Sequence, residues 1–122
     1  MIGRIRSLLD APRGGESTRW VTSVRQVGFA DEIPDRLSQG ELVLVRAERG
    51  APKWVVFECP CGRGHLVWLN LQRSQRPRWR VNGRGTHLTL RPSVAVGAPW
   101  GCHFWIRHGR VTWFVPTGRE LD

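Results

Sequence analysis

Glu58-Cys-Pro-Cys-Gly-Arg-Gly-His65 is the stretch on which the fold depends. It contains two of the three cysteines and one of the four histidines, and its proline and glycines favour a turn. The third cysteine comes much later, in Gly101-Cys-His-Phe104. Two close thiols on a turn, combined with a distant Cys/His pair, are how a short chain builds a tetrahedral zinc site. We therefore predict a zinc knuckle that binds Zn²⁺ as a structural ion.

The spacing of this knuckle leaves an alternative open. Zinc knuckles usually have two residues between their cysteines, whereas Cys59 and Cys61 are separated by one. The alternative is that both are ordinary buried thiols. A disulfide between them would close too small a ring, and three cysteines would leave one unpaired.

The composition favours one folded domain. The chain has 122 residues, of which 40% are hydrophobic, with seven Trp and four Phe. No apolar run approaches the roughly 20 residues of a membrane span, and the N-terminal segment lacks the apolar core of a secretory signal. A reducing compartment suits free or metal-bound cysteines. We therefore expect a cytoplasmic protein without a membrane partner.

The formal net charge of +9 has two interpretations. The densest basic cluster comprises Arg73, Arg76, Arg78, Arg80 and Arg84. Interleaved with Trp79, it would suit phosphates or single-stranded nucleic acid. The interpretation that we favour is a set of solvated cations without a specific ligand. In either case the charge predicts association with acidic partners at low salt.

The chain after residue 19 is predicted to be mainly β. Short β-branched and aromatic runs alternate with Gly and Pro, which indicates eight or nine short strands with little helix. Thr86–Leu90 and Val94–Val96 are expected to be separate strands, and Asp31–Leu37 a helical turn or two that Asp31 caps. We predict residues 1–19 to be a flexible N-terminal arm. Residues 20–122 are predicted to form a single zinc-stabilised β domain, a compact antiparallel sandwich or partly open barrel.

The C-terminal strands allow a register to be predicted. His108-Gly109 suits a two-residue hairpin turn of the primed kind, because glycine tolerates positive φ. Phe104 would then oppose Trp113, and both would lie on one apolar face of the hairpin. The other face would carry His103, Trp105, Thr112 and Phe114.

A second hairpin would bring Ser93 close to His103. If residues 97–101 form a five-residue loop, Ala95 opposes His103 across the strand pair. Ser93 and His103 are then diagonal neighbours on one face, with Cβ atoms about 7 Å apart or less. That separation permits a hydrogen bond between the two side chains.

The same register bears on the metal site. Cys102 and His103 are adjacent in a strand, so their side chains point to opposite faces and are not expected to bind one ion together. The predicted ligands are Cys59, Cys61, His65 and Cys102. His87 is a fallback for the fourth position, whereas His103 remains for another task.

Several segments together resemble one family. They are Lys53-Trp-Val-Val-Phe-Glu-Cys-Pro-Cys-Gly-Arg-Gly-His65, Leu69-Asn-Leu71, Arg76-Pro-Arg-Trp-Arg80, Leu88-Thr-Leu-Arg-Pro-Ser-Val94 and Gly101-Cys-His-Phe-Trp-Ile-Arg-His-Gly-Arg-Val111. Over roughly residues 20–115 they are similar to small bacterial proteins catalogued as domain of unknown function 6527. Such proteins tend to be encoded beside a ubiquitin-like protein, an activating-enzyme homologue and a conjugating-enzyme homologue. Many relatives differ in having a cysteine at the position of Arg63 and two residues between the later Cys and His.

The resemblance implies a zinc-containing accessory of a bacterial ubiquitin-like conjugation pathway. Its partners would be the ubiquitin-like protein and the conjugation enzymes of the same operon. A hydrolase that processes the ubiquitin-like protein, or removes it from targets, would suit such a pathway. Four protein ligands leave no open position on the zinc, so a peptidase would use Ser93 as nucleophile and His103 as general base. Asp31, Glu32 or Asp35 could orient His103 only if the short helix packs nearby.

A non-catalytic function is the alternative. In that interpretation the zinc knuckle supports a β-fold whose Arg/Trp surface recruits a ubiquitin-like protein, a conjugating enzyme or nucleic acid. A structure distinguishes the two functions. Ser93 Oγ within hydrogen-bond reach of His103 favours the peptidase, and the two side chains on separate faces favour the binding module.

Overall fold

The computed structural model describes residues 17–46 and 51–114. Within these ranges the chain forms nine strands and two short 3₁₀ turns. The strands are β1 (Ser17–Arg19), β2 (Ser23–Val27), β3 (Glu41–Arg46), β4 (Pro52–Glu58), β5 (Leu66–Asn70), β6 (Arg80–Asn82), β7 (Thr89–Val96), β8 (Cys102–Arg107) and β9 (Arg110–Trp113). The 3₁₀ turns are η1 (Ala30–Glu32) and η2 (Gly85–His87).

The strands form two sheets with an apolar core between them. One sheet has the order β1-β9-β8-β7-β6 and the other the order β2-β3-β4-β5. Phe57 on β4 and Phe104 on β8 are fully buried and meet edge to face with ring centroids 6.2 Å apart. Strand β4 is apolar on both faces because the segment around Leu37 covers its outer side, where Val56 packs. The fold is therefore mainly β with two packed sheets.

The predicted fold class is confirmed, with one difference in strand direction. Nine strands and only two 3₁₀ turns agree with the expected β-fold, and the described residues form no closed barrel. The pair β2–β3 is parallel, however, with Ser23 beside Glu41 and Val27 beside Val45. A parallel pair needs a crossover connection, and residues 28–40 supply it.

The C-terminal hairpin has the predicted register. Phe104 opposes Trp113, and the two turn residues have the positive φ of a primed turn, 52° at His108 and 76° at Gly109. Ala95 opposes His103, also as predicted. The two strands expected on either side of residues 91–93 are instead one strand, β7, with an irregularity in its pairing to β8 between Leu90 and Val94.

Two further expectations differ from the structure. Asp31 lies inside the η1 turn and does not cap it, because the Glu32 carboxylate accepts the hydrogen bonds from the backbone N–H groups of Gly28 and Phe29. Ser17–Arg19, the end of the predicted arm, forms β1 and pairs with β9. Residues 1–16 of that arm and residues 115–122 of the predicted domain lie outside the described residues. Among the described residues, no helix has the length and apolar character needed to cross a membrane.

A substitution at Gly109 tests the packing of the hairpin turn. A Cβ at this position would collide with the backbone carbonyl of Thr86, and the φ of 76° already disfavours an L side chain. We expect Gly109→Ala to lower the free energy of unfolding by at least about 3 kcal/mol. Urea denaturation followed by tryptophan fluorescence measures the loss. The control is Gly85→Ala, where φ is also positive but the space is open, and a loss of about 1 kcal/mol is expected. Equal losses would contradict the steric argument.

Candidate functional site

Four side chains with metal-ligating atoms meet at one end of the sandwich. Cys59 directly follows β4, Cys61 and His65 lie in the connection to β5, and Cys102 is the first residue of β8. Their ligand atoms all lie within 4.8 Å of one another. The predicted ligand set is thus brought together, and the cluster could bind a metal ion. His87, the predicted fallback, instead lies in η2 beside the guanidinium of Arg19.

The protonation behaviour of the cluster follows from burial and from neighbouring charge. Burial raises the pKa values of the Cys59 and Cys102 thiols above their ordinary value. Burial acts in the same direction on Cys61, but hydrogen bonds from Arg63 outweigh it and bring the pKa of Cys61 below its ordinary value. Burial, with the positive charge of Arg63, also lowers the pKa of His65. A neutral imidazole and a stabilised thiolate are the forms that bind metals.

Arg63 is part of the cluster although the sequence indicated it only as a departure from the expected cysteine. Its guanidinium donates hydrogen bonds to Cys61 Sγ at 3.4 Å and to Cys102 Sγ at 3.1 Å. It also donates to the carbonyl of Trp100 at 2.7 Å, and the Trp100 ring stacks on His65 with centroids 4.0 Å apart. Arg63 and Trp100 therefore join the β4–β5 connection to the β7–β8 loop.

The donor set fits a metal ion of borderline softness. Three thiols and one imidazole match the Cys₃His sets that bind zinc. Ligand atoms around one tetrahedral zinc ion lie about 3.8 Å apart, so a spread of up to 4.8 Å needs only small side-chain adjustments. Cys61 Sγ lies 3.2 Å and Cys102 Sγ lies 4.0 Å from His65 Nε2.

Ser93 and His103 meet on the outer face of the five-stranded sheet. Ser93 Oγ lies 3.1 Å from His103 Nε2, which is within hydrogen-bond reach. Ser93 is on β7 and half-buried, whereas His103 is on β8 and exposed. The indole N–H of Trp79 donates to the Ser93 carbonyl at 3.3 Å and fixes this part of β7 from the opposite edge.

Aromatic stacking orients the His103 ring. The Phe114 ring lies parallel to the imidazole, with centroids 3.6 Å apart and an interplanar angle of 9°. The Trp105 ring stacks in turn on Phe114 at 5.7 Å. The backbone N–H of Phe114 also donates to the His103 carbonyl at 3.1 Å. The predicted register had placed His103, Trp105 and Phe114 on one face, so the signal for this stack was present in the sequence.

The three carboxylates that could have oriented His103 only if the short helix packed nearby, those of Asp31, Glu32 and Asp35, make no hydrogen bond to it among the described residues. Glu32 accepts hydrogen bonds from the N–H groups of Gly28 and Phe29, within its own turn. Glu58 is paired with Arg36 at 2.9 Å. Among residues 17–46 and 51–114, no carboxylate is hydrogen-bonded to His103, and the side chains of Asp31 and Asp35 make no hydrogen bond within these ranges.

These elements define a β-sandwich protein with a Ser–His pair on the outer face of the five-stranded sheet. The Cys/His cluster lies at the start of β8, the strand that also carries His103. The chain matches the BubE family, described as the bacterial ubiquitination-like system serine protease family, over residues 29–114. It therefore belongs to the BubE family. The predicted link to a bacterial ubiquitination-like system is confirmed at the level of the family, although the match carries the name BubE and not domain of unknown function 6527. No curated protein and no solved structure gives a significant match.

The metal cluster can be tested by substitution of its ligands. We expect one metal ion per chain, and we expect Cys59→Ser and Cys61→Ser to lose it and to melt at least about 10 °C lower, because metal binding contributes folding free energy. Metal content by elemental mass spectrometry and thermal melts with and without a chelator measure both effects. His87→Ala should keep the metal. Cysteine variants that retain the ion and melt like the parent would rule out this site.

Proposed function

We propose that this protein is a serine peptidase or isopeptidase, similar in role to a deubiquitinase, within a bacterial ubiquitination-like pathway. Its substrate would be the C-terminal acyl group of the ubiquitin-like protein, either in a precursor or in a conjugate. The observation that carries the proposal is the 3.1 Å approach of Ser93 Oγ to His103 Nε2 in a chain of the BubE family. The ubiquitin-like protein and the conjugation enzymes of the operon would be its partners, in the cytoplasm.

In the proposed reaction Ser93 acts as nucleophile and His103 as general base and acid. Ser93 Oγ attacks the acyl carbonyl while His103 Nε2 takes the hydroxyl proton. The tetrahedral intermediate collapses as the bond to the leaving amine breaks, and His103 gives its proton to that amine. Water, deprotonated by His103, then hydrolyses the acyl ester and restores the Ser93 hydroxyl.

Phe114 has a positioning role in this proposal. In Ser-His-Asp triads a carboxylate holds the imidazole in the orientation that catalysis needs. Here the parallel Phe114 ring restricts rotation of His103, and the Trp105 ring stacks on Phe114. Stacking fixes the plane of the imidazole, so Nε2 remains directed at Ser93 Oγ.

We further propose that the ion in the cluster is Zn²⁺ and that its role is structural. Cys59, Cys61, His65 and Cys102 would hold it, and four protein ligands leave no position for substrate or water. The ion would supply folding free energy, and it would fix the start of β8 at Cys102. Since His103 is the next residue, this also positions the general base.

The non-catalytic binding module remains the second candidate, and an arginine surface favours it. Partial burial lowers the pKa of Arg78, and the positive charges of Arg80, Arg73 and Arg76 lower it further. Lys53 lines the same groove as Arg73, Arg78 and Arg80. Such a surface would recruit an acidic protein or nucleic acid without chemistry.

Covalent labelling of Ser93 tests the peptidase proposal. We expect a fluorophosphonate, and the operon's ubiquitin-like protein with a C-terminal serine-reactive electrophile, to form an adduct on Ser93. Intact-mass spectrometry with peptide mapping detects it. The adduct should be absent in Ser93→Ala, and it should form at least about 1,000-fold more slowly in His103→Ala, because the hydroxyl needs a base.

Two matched controls accompany the labelling. Ser74→Ala removes another exposed hydroxyl, and His108→Asn removes another exposed imidazole while keeping a residue that tolerates positive φ. Both should react like the parent. A stable complex with the ubiquitin-like protein and no adduct would reject the peptidase in favour of the binding module.

The role of Phe114 predicts a separate kinetic signature. We expect Phe114→Leu to lower kcat about 10-fold with KM within about twofold of the parent, because the imidazole loses its orientation but the substrate contacts remain. Steady-state kinetics on a peptidyl-coumarin amide measure both constants. Phe114→Tyr keeps the stacked ring and should restore kcat. An equal loss in Phe114→Leu and Phe114→Tyr would show that stacking is not what matters.

A further inference from the structure

Strand β7 has an unpaired edge that begins at Ser93. On one side β7 pairs with β8 as far as Val96. On its other side β6 pairs only with the start of the strand, from Thr89 to Arg91. Among the described residues no strand continues this pairing beyond Arg91. The Trp79 indole occupies this edge at the Ser93 carbonyl, and the part of β7 beyond Ser93 is therefore an open sheet edge.

The backbone of Ala95 is directed at this open edge. The His103 carbonyl accepts its hydrogen bond from Phe114, on the β9 side of β8. In an antiparallel ladder the N–H and C=O groups of one residue point to the same side, so both groups of His103 point towards β9. His103 and Ala95, which lie opposite each other, therefore form a non-hydrogen-bonded pair. The N–H and C=O of Ala95 consequently point away from β8. Neither makes a hydrogen bond to a turn or loop among residues 17–46 and 51–114, and Ala95 is exposed.

A groove of about 510 Å³ lies along this edge. Its far wall is β5, which is itself the edge strand of the four-stranded sheet. Trp68 on β5 contributes to that wall and is 39% exposed, unusual for so large an apolar side chain. At the other end Trp79 lines the groove and donates its indole N–H to the Ser93 carbonyl. Trp79 therefore links this end of the groove to Ser93, the residue that directly precedes the lining residues 94–97.

We infer that this groove binds the segment of the substrate that precedes the scissile bond, as an added strand along the edge of β7. The inference rests on the proposed function, since it places the acyl carbonyl at Ser93. A chain whose C-terminal end lies at Ser93 runs from Gly97 towards Ser93, opposite to the direction of β7. The added strand is thus antiparallel, and the N–H and C=O of Ala95 pair with one of its residues.

The dimensions set the length of the bound segment. At about 3.3 Å per residue, the edge from Ser93 to Gly97 accommodates about four substrate residues. Alternate side chains of the added strand face the groove, where Trp68 and Trp79 provide apolar surface. The substrate class is accordingly an extended, unstructured C-terminal tail with small or apolar residues at alternate positions. A folded loop with a tight turn does not fit an edge of this length.

Backbone methylation of a tail peptide tests the added strand. The probe is a fluorescein-labelled peptide of the last eight residues of the operon's ubiquitin-like protein, titrated against Ser93→Ala by fluorescence anisotropy. We expect N-methylation to weaken binding at least about 10-fold at alternate residues and less than about threefold at the residues between them, because only every second N–H faces β7. A flat profile, or no detectable binding of the parent peptide, would overturn the inference.

A pair of variants at one residue complements the scan. Ala95→Pro removes the edge-directed N–H and should weaken peptide binding at least about 10-fold. Ala95→Val keeps that N–H and should bind within about threefold of the parent. Should Ala95→Pro fail to fold, the methylation scan still decides, since it needs no change in β7. Fluorophosphonate labelling of Ser93 tests the peptidase separately. If Ser93 is labelled but the methylation profile is flat, the peptidase proposal stands and only the proposed binding in the groove is rejected.

Discussion

The Cys/His cluster is the constraint on which the rest of the structure depends. Cys59, Cys61 and His65 lie in the connection between two strands of the four-stranded sheet, whereas Cys102 begins β8 of the five-stranded sheet. Elsewhere the two sheets meet mainly through apolar packing, as between Phe57 and Phe104, and such packing is not directional. A tetrahedral ligand set is directional, because each donor has one permitted position around the ion. With an ion bound, as proposed above, the cluster would fix how one sheet is placed against the other.

The cluster also bears on the outer face of the five-stranded sheet, because side chains alternate between the two faces along β8. Cys102 is buried in the cluster, and the next residue, His103, lies on the opposite face of the sheet. Cys102 also pairs with Val96 on β7, which sets the register that brings Ser93 to His103. One buried side chain thus determines the position of an exposed one. The contiguity of Cys102 and His103 links fold stability to the geometry of the proposed dyad.

Local patterns in the sequence were more successful in predicting the site than in predicting the whole fold. The turn at His108-Gly109 and the loop at residues 97–101 are both short, so residue counting and period-two alternation were enough to place Ser93 beside His103. The ligand set could be predicted for the same reason, since three of its members lie within seven residues, Cys59 to His65. Phe114 could have been identified from the same register.

Features that depend on distant contacts could not be predicted. The parallel pairing of β2 with β3 and the pairing of β1 with β9 join segments whose order in a sheet no local pattern encodes. The continuity of β7 through Pro92 was missed because proline usually interrupts a paired strand, whereas here it lies in the irregularity between Leu90 and Val94, where the regular pairing with β8 is broken. Arg63 was missed as a partner of the cluster because a charged residue on a turn is usually solvated, whereas its guanidinium reaches two sulfurs and a carbonyl.

The exposure of the proposed dyad explains why the open edge of β7 matters for catalysis. Electrostatic stabilisation of a tetrahedral intermediate is strongest where water is excluded, and His103 lies at an exposed position of the sheet. A tail that adds a strand beside Ser93 covers one side of the nucleophile with peptide and apolar side chains. It also holds the acyl carbonyl in a fixed register, because each backbone hydrogen bond to the edge specifies one residue. In the proposed reaction the substrate would supply part of the enclosure that the isolated fold lacks, and chains unable to extend along the edge would react slowly.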